Sequence, residues 1–172
     1  MSDGYVCPEC HLDYDALAPG DIPGRVRQVP APVRERLTGV ADELLRVRPD
    51  ASTWSAIEYA AHLSDAYDAF TDMVPGMRAG KSMKDFFWDP DERAIEQHYA
   101  EQPVDEVLDH LDTNATRLAD ALDTLSGQDW ALTAEFAWGE RDLLTMARNA
   151  VHEGVHHTQD IDRVLSRVRD AG

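Results

Sequence analysis

Residues 139–165 read GERDLLTMARNAVHEGVHHTQDIDRVL, and their pattern sets how the rest of the chain is read. Leu144, Ala147, Val151, Val155, Ile161 and Leu165 fall on one face of an α-helix. Beside that apolar column runs a polar one: His152, His156, then Gln159 and Arg163. Histidines four apart on a helix stand one above the other, roughly 5–6 Å apart at Cβ, so both imidazoles can reach one metal ion. The spacing predicts a helix starting near Gly139–Arg141 that carries a core face and a candidate metal-binding border.

Three further stripes lie upstream. Val33, Leu37, Val40, Ala41, Leu44 and Leu45 form one, opened by Pro32 and stopped by Pro49. A second begins at Trp54-Ser55, where Ser55 and Glu58 make a capping-box pair. It runs through Ile57, Ala61, Leu63, Tyr67, Phe70 and Val74 to about Met77, weakened there by Gly76 and Gly80. A third follows Pro103 with Val104, Val107, Leu108, Leu111, Ala115, Leu118, Leu122 and Leu125, and Gly127 sits just past its end. No run alternates convincingly enough to be a strand. Four amphipathic helices predict an all-α four-helix bundle over residues 31–172, after an irregular, Pro-, Gly- and Asp-rich segment over residues 1–30. The long aromatic and acidic connection from Lys81 to Gln102 holds Phe86, Phe87 and Trp88, with a short helix expected near Glu92–Tyr99.

Length and charge narrow the function. A chain of 172 residues is expected to form one domain with a proper core. Its net charge of −17 argues against nucleic acid and anionic membrane surfaces, which call for a basic face. No apolar run has the length of a membrane span, and Met1-Ser2-Asp3-Gly4 does not open a secretory leader. Two cysteines do not make a disulfide framework, so a cytoplasmic setting is expected.

His62 lies on the same side of the second helix as Ala66, Ala69 and Met73, a small and apolar face. Joined to His152 and His156, it would give three protein ligands and an open position, the layout of catalytic zinc. The plainer alternative is a hydrogen-bonded or surface histidine at each position. The HExxH of residues 152–156 also matches the metalloprotease helix, but beyond the adjacent His157 no His or Glu follows to act as the usual downstream third ligand. Glu153 and His157 are candidate proton-transfer groups, the plainer readings being a solvated carboxylate and a surface histidine. Tyr67, Phe86, Phe87, Trp88 and Trp138 are candidate pocket walls, and Arg163 or Arg148 a candidate partner for a substrate carboxylate. Near the N-terminus, Cys7-Pro8-Glu9-Cys10-His11 has the shape of a zinc knuckle. With no further cysteine, a second metal would need His11 as third ligand and His98, His110, an aspartate or a second subunit as fourth; a redox pair or two quiet thiols are the alternatives.

Trp54-Ser55, Glu58, His62-Leu63, Trp130, then HxxxH with Gln159 and Ile161, together resemble the DinB/YfiT-like superfamily over about Val33 to Arg169. The resemblance implies an up-down-down-up bundle and a divalent metal, zinc first and nickel second, on His62, His152 and His156. It also implies a homodimer, and chemistry like that of mycothiol- or bacillithiol-dependent S-transferases and the mycothiol-dependent maleylpyruvate isomerase. The expected function is a metal-dependent transferase or isomerase joining a low-molecular-weight thiol to a small electrophile. A metal-dependent hydrolase of amides or esters, and a non-catalytic metal-binding or stress-response module, are the alternatives.

Overall fold

The computed structural model describes residues 4–170. Met1, Ser2 and Asp3, on which the leader reading drew, lie outside the described residues, as do Ala171 and Gly172. The first bundle helix is α1 (Ile22–Gln28) continued by α2 (Pro30–Leu37). Val29 between them keeps helical torsions, and Pro30, which has no N–H to donate, interrupts the ladder. There follow α3 (Asp42–Leu45), α4 (Ala56–Arg78), α5 (Pro90–Glu96), α6 (Val104–Asp123), a hairpin of β1 (Thr133–Phe136) and β2 (Gly139–Asp142), and α7 (Leu143–Asp170).

Three boundaries differ from the sequence reading, each for a physical reason. The helices begin at Ile22 rather than Pro32, because Leu17, Ile22 and Val26 are buried in the core although the segment around them is polar and Pro-rich. The first stripe stops at Leu37, because Gly39 takes a left-handed φ of 79° and Ala41 is extended, which makes α3 a separate turn. Residues 139–142 form β2 rather than the start of the last helix: Thr133 pairs with Asp142 and Phe136 with Gly139. Four residues per strand are too few for alternation to show in a sequence. Helix α7 starts only at Leu143, where Asp142 accepts the Thr145 N–H at 2.6 Å.

Cross-helix ion pairs fix the helix directions. Arg27 pairs with Asp120 and Asp123, and Arg34 with Asp109 and Asp112, so the first helix runs antiparallel to α6. Ser64 meets Asn114, Asp68 meets Arg117 and Arg78 meets Thr124, so α4 and α6 run parallel. Arg36 pairs with Asp162 while Val29 packs at Gly154, so the first helix and α7 run parallel. Parallel α4 and α6 need a long crossover, which residues 79–103 provide. The bundle is up-down-down-up. Its core joins Ile22, Val33 and Leu37 to Ile57, Leu63 and Phe70, to Leu111 and Leu118, and to Ala147, Val151 and Ile161. Full burial of each large apolar side chain stabilises by about 1.5–3 kcal/mol.

Gly154 lies mid-helix at the tightest point of this packing. A Cβ there would come within 2.4 Å of both the Tyr67 hydroxyl and Val29 Cγ2. Neither neighbour can yield easily, since the tyrosine ring is fully buried and valine is stiff at χ1. Overpacking should outweigh the gain in helix propensity, so Gly154→Ala is expected to destabilise by about 1–2 kcal/mol and to lower Tm by about 2–8 °C. Calorimetry reads this directly, and a Tm at or above wild type would show that the helices do not approach so closely. At the start of α4, burial works against ionisation of Glu58, yet Arg48 (2.9 Å) and the N–H and hydroxyl of Ser55 hold its carboxyl below the usual range. Its stabilising effect is therefore complete above about pH 4.3 and is lost as pH falls through the lowered value. In urea titrations at a series of pH values, the stability gap between wild type and Glu58→Gln should close as the medium becomes acidic; a constant gap would contradict the assignment.

Candidate functional site

Because α4 and α7 run antiparallel, the buried face of α4 near its start meets the middle of α7. There His62 Nε2 lies 3.4 Å from Glu153 Oε2, and His157 Nε2 lies 3.1 Å from the same oxygen. Three donor atoms on two helices converge within 4.8 Å of one another. The two imidazole rings meet edge to face at 5.0 Å, and Trp54 packs on His62 at 5.1 Å. The other nitrogen of His157, Nδ1, is held by Asp160 Oδ2 at 2.9 Å.

These donors sit at the floor of a cavity of about 270 Å³. Its walls are apolar: Trp54, Ala66 and Phe70 from the bundle side, and Phe87, Trp88 and Pro90 from the crossover. The Arg93 guanidinium lies over the Trp88 ring at 4.9 Å, and the Trp54 N–H donates to Asp91 at 2.8 Å, which ties the crossover to the start of α4. A larger hollow of about 560 Å³ lies between α2 and the end of α7. It is an open surface trough whose Arg36 and Asp162 satisfy one another, and none of the donor clusters borders it.

The floor is a buried cluster of mutually stabilised charges. Burial disfavours the Glu153 carboxylate, yet His157 and His62 hold it well below the usual carboxylate range. Burial likewise opposes the charged form of His157, but Asp160 and Glu153 outweigh it and push the imidazole up to about 9. The His62 Nδ1 is buried without a hydrogen-bond partner. An imidazole with one orphaned nitrogen is a costly way to fill space. Two imidazoles and a carboxylate are a donor set that fits zinc or a related divalent ion, and three protein ligands is the number that catalytic zinc sites use. His157 then has the usual carboxylate brace on its far nitrogen.

His62 is not grouped with His152 and His156, as the HxxxH reading expected. Gly154 faces the core, and two residues on either side of it point about 200° around the helix, to the outer face of α7. Glu153 and His157 are the i, i+4 pair turned toward α4. The stretch HEGVHH thus contains two such pairs offset by one residue, and the buried glycine between them is the signal that could have told them apart. His152 and His156 instead meet Cys7 and Cys10 of the N-terminal segment, all four donor atoms lying within 4.8 Å of one another. Burial opposes ionisation of Cys7, but the N–H groups of Cys10 and Glu9 and the His152 and His156 rings lower its thiol to about 5. Burial and the neighbouring Cys7 raise Cys10. His11, expected as a knuckle ligand, is exposed at a left-handed φ of 60° and belongs to none of the donor clusters among the described residues. His98 and His110 are exposed elsewhere.

Of the expected pocket residues, Trp88 lines the cavity and Trp138 does not. Trp138 is half exposed and braces Phe87 from behind at 4.9 Å. Tyr67 is fully buried at the Gly154 contact, its hydroxyl unpaired. Arg163 is exposed and pairs with Asp160 and Glu9, and Arg148 donates to the Leu17 carbonyl at 3.0 Å, so neither faces the pocket. Asp160 was missed, although its position three residues after His157 on a helix places it within reach.

The sequence matches the family model of the DinB superfamily over residues 25–161. No curated protein matches it. In fold the chain is similar to YfiT from Bacillus subtilis, a probable metal-dependent hydrolase with an unusual four-helix bundle topology, at 15% identity and a TM-score of 0.79, over 87% of this chain and 86% of that one. It is also similar to the mycothiol-dependent maleylpyruvate isomerase, at 15% identity and a TM-score of 0.69, over 86% of this chain and 62% of that one. With the family model spanning most of its length, the chain belongs to the DinB superfamily.

Proposed function

We propose that the protein is a metal-dependent enzyme that holds a divalent ion, zinc first and nickel second, on His62, Glu153 and His157, and that it joins a low-molecular-weight thiol to a small electrophile. The observation that carries this reading is the convergence of three donors on the floor of an apolar cavity. When bound, such an ion supplies Lewis acidity that brings a thiol or a water toward ionisation at neutral pH. The protein's own residues do the rest. Trp54, Phe70, Phe87 and Trp88 exclude water and admit the apolar part of a substrate, and Asp160 fixes the tautomer and orientation of His157.

The choice between transferase and hydrolase rests on what else lines the cavity. Hydrolysis of an amide requires an acid to protonate the leaving group. The titratable residues lining this pocket are His62, Glu153 and His157, all committed as ligands. Addition of a thiol to an electrophilic carbon asks less: the proton the thiol gives up returns, through solvent, to the oxygen or carbon that the addition leaves negative, and a halide departs unaided. The fold likeness to a thiol-dependent isomerase points the same way. An ester or activated amide whose leaving group departs unaided is the second reading, and the fold likeness to YfiT favours it.

Calorimetric metal titration of untagged protein should show that His62→Ala, Glu153→Gln and His157→Ala each abolish tight binding of one ion. Asp160→Asn is expected to weaken that ion about 10–100-fold without removing it. Tight binding retained in His62→Ala would refute the ligand set. For activity, loss of thiol is followed against epoxides, maleyl compounds and alkyl halides, with esters and amides run in parallel. Turnover should require both metal and thiol and fall to background in His62→Ala; consumption of esters at a rate indifferent to thiol would transfer the assignment to the hydrolase.

A further inference from the structure

We propose that Cys7, Cys10, His152 and His156 form a second metal site that holds one structural zinc ion and clamps the N-terminal segment onto the outer face of α7. The site is independent of the function proposed above and shares no ligand with it. Its four donors come from two segments far apart in sequence, yet they lie within 4.8 Å of one another, with Cys7 Sγ 3.6 Å from His156 Nδ1. Both thiols are buried and unbridged. The His152 Nε2 is buried with no hydrogen-bond partner. Two thiols and two imidazoles packed together leave their polar atoms poorly satisfied unless something is shared among them.

The local backbone is shaped for the purpose. The His11 N–H donates to the Cys7 carbonyl at 3.0 Å, and the Cys7 N–H donates to the Leu12 carbonyl at 3.0 Å, closing a tight turn that aims both sulfurs the same way. His11 takes the left-handed conformation that lets the chain double back, and Val6 bridges to Asp13. Tyr5 and Tyr14 pack around the His152 ring at 6.2 and 5.8 Å, and the Tyr14 hydroxyl donates to Asn149 at 2.9 Å. His156 has its Nδ1 toward Cys7 and its Nε2 toward Asp160 at 3.4 Å, so a ligating nitrogen and a braced one are already distinguished.

Four donors of this kind leave no coordination position open, which marks a structural rather than a catalytic site. The charge balances. Two thiols release two protons to solvent, the dication takes their place, and two neutral imidazoles complete a neutral complex with no change of oxidation state. The clamp also has a load to bear. Among residues 4–17, Tyr14 and Leu17 are the buried side chains besides the two cysteines, too few to order the segment alone.

The test uses full-length untagged protein. Elemental analysis should show one zinc that is lost in Cys7→Ser and kept in His62→Ala. Replacement by cobalt should give a near-ultraviolet thiolate-to-cobalt charge-transfer band, present in His62→Ala and absent in Cys7→Ser. The pocket cluster contains no sulfur, so this band reports on the clamp alone, and failure of the pocket assignment would leave it untouched. Where Cys7→Ser does not fold, titration of wild-type protein with a mercurial serves instead, and should release one zinc per two thiols modified. Cobalt-loaded protein without the band, mercurial titration that releases no metal, or a mass two hydrogens low from a Cys7–Cys10 disulfide in protein isolated without oxidant would each overturn the proposal.

Discussion

The close approach of α7 to the first helix and α4 at Gly154 sets the rotation of the longest helix, and both donor clusters depend on that rotation. With the glycine against Val29 and Tyr67, Glu153 and His157 fall toward α4 while His152 and His156 fall away from the bundle. A rotation of one residue, about 100°, would exchange the two pairs. A larger residue at 154 would move α7 outward and separate His62 from its partners before it disturbed anything on the outer face. The most ordinary residue of HEGVHH is thus the one that assigns chemistry to the others.

The pocket is finished by elements that are not part of the bundle. Parallel α4 and α6 force a long crossover, and the crossover supplies Phe87, Trp88 and Pro90 as the outer wall. That wall is supported from behind by an aromatic cluster in which Phe87 touches Phe70, Phe86, Phe136 and Trp138, the last two borne by the hairpin. The clustered donor groups therefore ride on rigid helices, while the apolar walls of the cavity ride in part on a connection and a turn. Such a division lets substrate preference vary without disturbing the helix-borne donors.

Much of this was legible in the sequence. Four stripes predicted the bundle, Ser55 and Glu58 marked the start of α4, and the long aromatic connection offered Phe87 and Trp88, which line the cavity. His62 was recognisable as a buried histidine on a small-residue face. What sequence could not supply was the angular phase of α7. Val151 and Val155 both read as core, and only packing shows Val151 buried and Val155 at the margin. Taking Val155 as core-facing tilts the inferred face and makes His152 and His156 look like its border. The same limit hid the partner of the cysteines, since nothing in the spacing of residues 7–11 names two histidines about 150 residues downstream; a long-range pairing has no local signature.

Asp160 joins the two clusters. Its Oδ2 lies 2.9 Å from His157 Nδ1 and 3.4 Å from His156 Nε2, and its Oδ1 meets Arg163. A single carboxylate therefore faces one imidazole from each cluster. His156 and His157 are neighbours on the helix with rings 5.3 Å apart, and a carboxylate one turn further on reaches both, so the three donors also lie within 4.8 Å of one another. One side chain thus stands between the outer and inner faces of α7, bracing His157 beneath the pocket while it borders the cysteine–histidine cluster.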